Sequence, residues 1–177
     1  MAATLNQDWK QDRIGSANRG ENPSVLLRMK GGYAVIGDNQ FLPGYSLLLC
    51  DVPGINHLSE LELNDRIQFL KDMSLLGEAI ELAWKEIQTR NDLPPALANL
   101  TFRRMNYDIL GNKDAYLHAH IWPRFEEEDP ELKVLPVWVY PRNSWTNSHT
   151  EYSDQVYGLI KERIVHHLKL LVQKADE

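Results

Sequence analysis

The sequence is poor in cysteine: Cys50 is the only one among its 177 residues. No intrachain disulfide can form, so a reduced, cytoplasmic setting is the simplest expectation. Apolar runs are also short, and none approaches the roughly 20 residues that a membrane-spanning helix needs. The segment Met1–Lys10 lacks a basic stretch followed by an apolar one, so we expect no signal peptide and no membrane partner.

Basic residues are outnumbered by acidic ones. The 19 Lys and Arg residues face 25 Asp and Glu residues, which gives a formal net charge of -6. Binding to a nucleic acid backbone requires a concentrated basic surface, and the sequence contains no basic block. We therefore expect no nucleic acid polymer as a partner. Small phosphorylated ligands remain compatible with this charge, because they need only a few local donors.

Alternating and helical patterns divide the chain into strands and helices. Apolar residues three and four apart predict a long helix that starts near Ser59 or Asn64 and ends before Asn91, and a last helix over residues 153–174. An additional edge strand is expected at 134–140. The main predicted strands span residues 25–30, 33–36, 45–50, 100–105 and 115–122, and Pro123 is expected to stop the last of them. This order predicts an α+β fold with a mainly antiparallel sheet.

The composition suggests three parts along the chain. Residues 1–24 are polar and interrupted by Gly and Pro, which predicts a loosely docked N-terminal arm. Residues 25–140 contain the predicted sheet and the long helix. Residues 141–177 form a C-terminal helical extension. We expect Trp138 and Trp145 to pack the last helix onto the sheet.

One predicted strand carries two histidines on the same face. Side chains alternate along a strand, so His118 and His120 share a face with Tyr116 and Trp122. Imidazole is a nucleophile at neutral pH because its pKa is about 6.5. One histidine can therefore attack phosphorus while the other donates to a phosphate oxygen. Taken alone, the His-x-His spacing leaves metal binding and a purely structural pair open as alternatives.

The segment Tyr116–Arg124 resembles the signature of the histidine-triad (HIT) superfamily. That signature reads His-φ-His-φ-His-φ-φ, where φ is an apolar residue, and Pro-Arg often follows it. The Pro-Arg pair of this sequence aligns His118 with the second, nucleophilic histidine and His120 with the third. Tyr116 stands at the first position, which is a departure from the family pattern.

The resemblance extends upstream over roughly residues 25–124. Residues Phe41–Leu48 resemble the Pro-Gly-His strand of the family, with Tyr45 in place of the histidine. Residues Leu100–Asn112 resemble the stretch that leads into the triad. In the family this stretch ends in Gly-Gln. Here Asn112 stands in the position of the glutamine, with the same spacing to the nucleophile and a shorter side-chain amide.

The resemblance implies a HIT-like fold: a five-stranded, mainly antiparallel sheet with a long helix, here with an added C-terminal helix. It also implies a nucleotide hydrolase or nucleotidyltransferase acting at the α-phosphate of dinucleoside polyphosphates or related nucleotide conjugates. His118 and His120 are the implied catalytic residues, the first through a nucleotidyl-histidine and the second through a hydrogen bond to phosphate. The implied substrate-binding residues are Tyr116, Tyr45, Asn106, Asn112, Asp38, Asn39 and Arg124. No metal and no cofactor is expected, and family members commonly form homodimers.

Two other functions remain open at this point. Tyrosine is a poor proton shuttle at neutral pH, since its pKa is about 10, so Tyr45 and Tyr116 favour a protein that binds nucleotides without turning them over. A cupin-like metal site is the other alternative, because Gly111, the two histidines and Glu126 faintly resemble the cupin spacing. Both gaps differ from that spacing, and a long helix before the motif does not suit a small jelly roll.

Overall fold

One antiparallel sheet organises the chain in the computed structural model, which describes residues 7–177. Neighbouring strands are antiparallel throughout, in the order β1-β2-β3-β5-β4. The strands are β1 (Val25–Met29), β2 (Gly32–Ile36), β3 (Ser46–Leu49), β4 (Phe102–Ile109) and β5 (His118–Phe125). The predicted α+β fold with a five-stranded antiparallel sheet is confirmed.

Four α-helices accompany the sheet in the described part of the chain. They are α1 (Arg13–Asn18), α2 (Leu63–Ile87), α3 (Arg142–Thr146) and α4 (Asp154–Ala175). The two long helices match the predicted ones within a few residues. No helix among the described residues is both long enough and apolar enough to cross a lipid bilayer.

The hydrophobic core lies between one face of the sheet and the two long helices. Small and branched side chains of the strands, such as Ala34, Leu48 and Ala119, are fully buried on that face. They let the helices approach the sheet closely, as native packing density requires. Buried helical partners include Leu76, Ile80, Ala83 and Trp84 of α2 and Tyr157, Ile160, Ile164 and Leu168 of α4.

A Pro-Gly turn before β3 is tied to α2. The indole nitrogen of Trp84 donates to the carbonyl of Pro43 at 2.9 Å. The next residue, Gly44, has a φ of 95°, and a Cβ there would lie 3.0 Å from the Trp84 indole nitrogen. Glycine is favoured on both grounds, since a positive φ and the close approach both oppose a side chain.

Two details of the predicted strands are wrong. β5 does not stop at Pro123 but continues to Phe125. Alternation from Leu117, whose carbonyl accepts from Cys50, directs the backbone nitrogen of Pro123 to the β3 side. The β3–β5 ladder stops at the Ser46–Ile121 pair, so the missing N–H leaves no ladder bond unmade. The expected edge strand at 134–140 is a 3-10 turn at Val137–Val139, whose backbone hydrogen bonds are local.

The segments before β1 and after β5 in the sequence both contain ordered structure. Residues 1–6 of the predicted N-terminal arm lie outside the described residues. Within the rest of the arm, Ser16 and Ala17 of α1 are buried. In the predicted extension, α4 joins the core, but Trp138 and Trp145 do not pack it there. They stack on each other, with ring centroids 5.3 Å apart, over the opposite face of the sheet, so their predicted role is wrong.

Truncation of one buried α4 side chain tests whether this helix is part of the core. Leu168 is fully buried, whereas Leu170, two residues away, is 52% exposed. We expect Leu168→Ala to lower the free energy of unfolding by about 2–5 kcal/mol, because it leaves a cavity. The matched control Leu170→Ala should change it by less than about 0.5 kcal/mol. Urea denaturation measures both, and equal losses would contradict the packing described.

Candidate active site

The two histidines of β5 lie on the sheet face that the long helices leave free. His118 pairs with Leu49 and His120 with Leu47 across the β3–β5 ladder. Their ring centroids are 4.9 Å apart. Together with surrounding side chains they line an open cleft of about 290 Å³, here called the histidine cleft. Its apolar floor is formed by Val35, Leu47 and Leu49.

His118 is held so that one ring nitrogen is free. Its Nδ1 lies 2.8 Å from the carbonyl oxygen of Tyr116. A carbonyl only accepts hydrogen bonds, so Nδ1 carries the proton and Nε2 keeps its lone pair. Nε2 has no hydrogen-bond partner in residues 7–177. The residue is only 6% exposed and lines the histidine cleft.

His120 is a neutral imidazole with the opposite tautomer. Burial, followed by the neighbouring His118, lowers the pKa of His120 to about 3. The hydroxyl of Tyr45 lies 2.6 Å from His120 Nδ1. A phenol is the better donor and an imidazole nitrogen the better acceptor, and burial raises the pKa of Tyr45 well above its usual value. Tyr45 therefore donates to Nδ1, and the ring proton of His120 sits on Nε2 as a hydrogen-bond donor.

Packing on both sides holds the ring of Tyr45 in the position from which its hydroxyl contacts His120. The ring stacks on Trp122 with centroids 3.5 Å apart. Gly37, the residue after β2, donates its backbone N–H to the carbonyl of Tyr45 at 2.9 Å. A Cβ at Gly37 would lie 2.2 Å from a Tyr45 ring carbon. The phenol at this position therefore requires glycine at residue 37.

Tyr116 lies beside the nucleophile candidate without engaging it through its hydroxyl. Its ring centroid is 5.1 Å from that of His118, and both side chains line the histidine cleft. Burial raises the pKa of the Tyr116 hydroxyl, which has no hydrogen-bond partner in the described chain. The structure thus places both predicted tyrosines, Tyr45 and Tyr116, in the same cleft as the two histidines.

Asp38 and Asn39 also line the histidine cleft, but their polar atoms are already engaged. Both carboxylate oxygens of Asp38 accept from Arg13, at 3.2 and 2.5 Å. The amide of Asn39 donates to the carbonyl of Trp145 at 3.2 Å and accepts from the Thr150 hydroxyl at 3.0 Å. Asn39 therefore fastens the C-terminal segment to the cleft.

Three predicted substrate-binding residues are not brought to the histidine cleft. Asn112 lies on the exposed loop before β5. Asn106 and Arg124 line a second cleft of about 430 Å³ on the same sheet face. Arg124 is 3% exposed, and its guanidinium is paired with Glu128 at 2.9 Å and bonded to Asn106 at 3.0 Å. It also donates to the carbonyl groups of residues 132, 133 and 135, so it anchors the loop after β5.

Besides its apolar floor, four residues of the histidine cleft were not expected from the sequence. They are Arg13 from α1, Lys113 and Asp114 from the loop before β5, and Trp145 from the C-terminal segment. A tryptophan within the polar stretch 141–150 is a signal that would have marked Trp145. No local pattern connects Arg13 to the site.

The cupin-like alternative is not supported by the geometry. Glu126, its third ligand candidate, is paired with Lys133 at 2.8 Å and does not line the histidine cleft. Among the side chains that the structure describes, no group of three or more from His, Cys, Asp or Glu is arranged to hold a metal ion. The single sheet backed by long helices is also not a jelly roll.

The lowered pKa of His120 predicts how the stability of the protein depends on pH. The folded-state pKa of about 3 is below the ordinary value of 6.5, so between these values only the unfolded chain binds this proton. Lowering the pH from about 6.5 towards 3 should therefore lower the free energy of unfolding. The His120→Asn variant should lose less of this free energy over the same pH range. By NMR, the His120 ring should stay neutral down to about pH 5. A titration midpoint of His120 near the ordinary value of 6.5 would contradict the site geometry.

Comparison with known proteins gives a fold but no sequence family. No protein-family model matches the chain, and no curated protein matches it significantly in sequence. A histidine triad protein from Marinobacter aquaeolei VT8 has a similar structure, with a TM-score of 0.63, 18% identity, and coverage of 90% of this chain and 95% of that one.

Two further solved structures agree with this comparison. A histidine triad protein from Sinorhizobium meliloti 1021 has a TM-score of 0.61, 16% identity, and coverage of 94% of this chain and 99% of that one. A hypothetical histidine triad nucleotide-binding protein from Sulfolobus tokodaii strain 7 has a TM-score of 0.58, 19% identity, and coverage of 91% and 93%. The chain therefore has the fold of histidine-triad proteins.

Proposed function

We propose that the protein is a nucleotide hydrolase or nucleotidyltransferase that works through a nucleotidyl-histidine at His118. The observation that carries this proposal is the fixed tautomer of His118, which leaves Nε2 free on a side chain that lines the histidine cleft beside a neutral donor, His120. The similarity in fold to a protein described as nucleotide-binding supports a nucleotide as the ligand.

The first step is a displacement at phosphorus. The lone pair of His118 Nε2 attacks the α-phosphorus of the nucleotide, a P–N bond forms, and the P–O bond to the leaving group breaks. The leaving group keeps the electron pair of that bond and takes a proton from water. The imidazole becomes positively charged, and its Nδ1–H stays bonded to the carbonyl of Tyr116, which stabilises that charge.

His120 serves the same step as an oxyanion donor. Its Nε2–H donates to a non-bridging phosphate oxygen while negative charge develops there. Because Tyr45 holds Nδ1, the tautomer that exposes this donor is present before the substrate arrives. In the second step, water attacks phosphorus, a P–O bond forms, the P–N bond breaks with its electron pair returning to His118, and the attacking water releases a proton to solvent. A nucleotidyltransferase would use another acceptor in place of water.

The substrates that we propose are dinucleoside polyphosphates or related nucleotide conjugates. The floor formed by Val35, Leu47 and Leu49 offers an apolar surface to a base, and the two imidazoles stand beside it. No metal and no cofactor takes part in the proposed covalent step. Within this proposal, residues 25–140 are the histidine-triad-like unit, 1–24 and 141–177 are additions to it, and the setting is cytoplasmic.

A nucleotide-binding protein without turnover is the second candidate. The observation that favours it is the pair of phenols in the cleft, because burial raises the pKa of both Tyr45 and Tyr116. Neither hydroxyl is able to supply a proton to a leaving group readily near neutral pH. Turnover measurements separate the two candidates, whereas binding measurements alone do not.

Substitution of the nucleophile tests the proposed reaction. We expect His118→Ala to reduce hydrolysis of a dinucleoside polyphosphate to background, because no other group forms the P–N bond. Loss of one oxyanion donor in His120→Ala should lower kcat by about 100- to 1000-fold. The control is His166→Ala on α4, which is exposed and outside the cleft. An active His118→Ala variant would refute the covalent mechanism, and a wild-type protein that binds without turnover would leave the second candidate.

We further propose that the protein forms a homodimer through α2 and the outer strand β4. Leu63, Ile67 and Leu70 form an apolar stripe on α2 and are 64%, 57% and 37% exposed. Tyr107 of β4, beside this helix, is 41% exposed. Outer strands present unpaired backbone groups, so a second copy of this surface is a suitable partner for both features.

A charge placed in the stripe tests the dimer. Ile67→Glu should shift the protein from dimer to monomer in sedimentation velocity, because pairing would bury an unpaired carboxylate. The control is Leu170→Glu on α4, where a leucine of 52% exposure lies outside the stripe. A wild-type monomer, or a dimer that survives Ile67→Glu, would contradict the proposal.

A further inference from the structure

Arg13 brings a cation into the histidine cleft from outside the part of the chain that resembles the family. It is the first residue of α1 and lines the same cleft as His118 and His120. Its two terminal nitrogens donate to the two oxygens of Asp38, at 3.2 and 2.5 Å. On another side, its guanidinium carbon lies 5.2 Å from the centre of the Trp9 ring. The guanidinium is thus oriented before any ligand binds.

This orientation leaves hydrogen-bond donors unused. A guanidinium has five N–H donors, and the two bonds to Asp38 use two of them. The side chain keeps 26% of its surface exposed, and no other side-chain hydrogen bond of Arg13 occurs in the described chain. The remaining N–H groups match the oxygen atoms of a phosphate, which the planar fork of arginine recognises well.

The charges around the cleft make Arg13 significant for an anionic ligand. His120 is neutral, and His118 has to be neutral when it attacks phosphorus. Among the residues that line the cleft, the remaining cations are Arg13 and Lys113, and the carboxylates are Asp38, which pairs with Arg13, and Asp114. Lys113 is exposed on a loop and unpaired within the described chain, whereas Arg13 is held on two sides. Arg13 is therefore the preorganised cation of the site.

α1 has contacts that do not involve the side chain of Arg13. The backbone oxygen of Arg13 accepts from the amide of Asn22 at 3.0 Å and from the hydroxyl of Ser16 at 3.1 Å. Ser16 and Ala17, both residues of α1, are also buried. These contacts are independent of the guanidinium, so the Arg13–Asp38 pair is not the sole attachment of α1 in the described chain.

We propose that Arg13 binds the phosphate chain of the substrate in the histidine cleft, and that Asp38 positions Arg13 instead of binding ribose hydroxyls. This inference rests on the proposed function and narrows it to conjugates that present an anionic phosphate next to the reacting one. Substrates with a single, neutral leaving group would gain nothing from this contact.

Binding of inorganic pyrophosphate to the full chain tests the inference by calorimetry. We expect Arg13→Ala to weaken binding about tenfold or more, since charged hydrogen bonds are lost, with Arg13→Lys in between. The control is Arg19→Ala, which removes a cation near the end of α1 that pairs with Asp12 and Glu21 and lies outside the cleft. Thermal unfolding of each variant checks that the fold is retained.

Two results would overturn the inference: a wild-type chain that does not bind pyrophosphate, or an Arg13→Ala variant that binds it as tightly as Arg19→Ala. Pyrophosphate binding needs neither a base nor attack by His118, so the outcome is independent of turnover. An Arg13-dependent site without turnover would refute the proposed reaction alone. Normal turnover with a site that does not depend on Arg13 would refute this inference alone.

Discussion

The alternation of side chains along β5 is the constraint on which the rest of the structure depends. One face of this strand has to be small and apolar, because Ala119 and Ile121 are packed without exposure against the long helices. The other face is then free to present His118 and His120 next to each other, 4.9 Å apart between ring centres. A shift of one residue in register would bury the imidazoles in the core and expose the apolar face. Core packing therefore fixes the position of the two imidazoles.

A second constraint couples Tyr45, the residue before β3, to the histidines. The hydroxyl of Tyr45 selects the tautomer of His120, and burial of the pair keeps the imidazole neutral. The ring fits because Gly37 has no side chain and because Trp122 supplies a stacking surface. The change from imidazole to phenol at this position is thus accompanied by the surroundings that it needs, and it leaves His120 as a donor in place of a proton carrier.

The fold and the centre of the site were predictable because their signals are local in sequence. Strand alternation places His118 on one face, and the Pro-Gly motif places Tyr45 across from it. The effect of Pro123 was mispredicted, since it depends on how far the neighbouring strand extends. Arg124 was expected to bind the substrate. Its ion pair with Glu128 depends on the fold of the loop after β5, so it could not be seen in the sequence. Arg13 gave no signal, because its partner Asp38 is 25 residues away and no pattern links the two.

The stereochemical course at phosphorus tests the nucleotidyl-histidine most directly. A substrate made chiral at the α-phosphorus with sulfur and labelled oxygen reports how many displacements occur there. Attack by His118 followed by attack of water is two in-line displacements, so the account predicts net retention of configuration. Net inversion would show that water attacks the substrate directly, and it would contradict the assignment of His118 as the nucleophile.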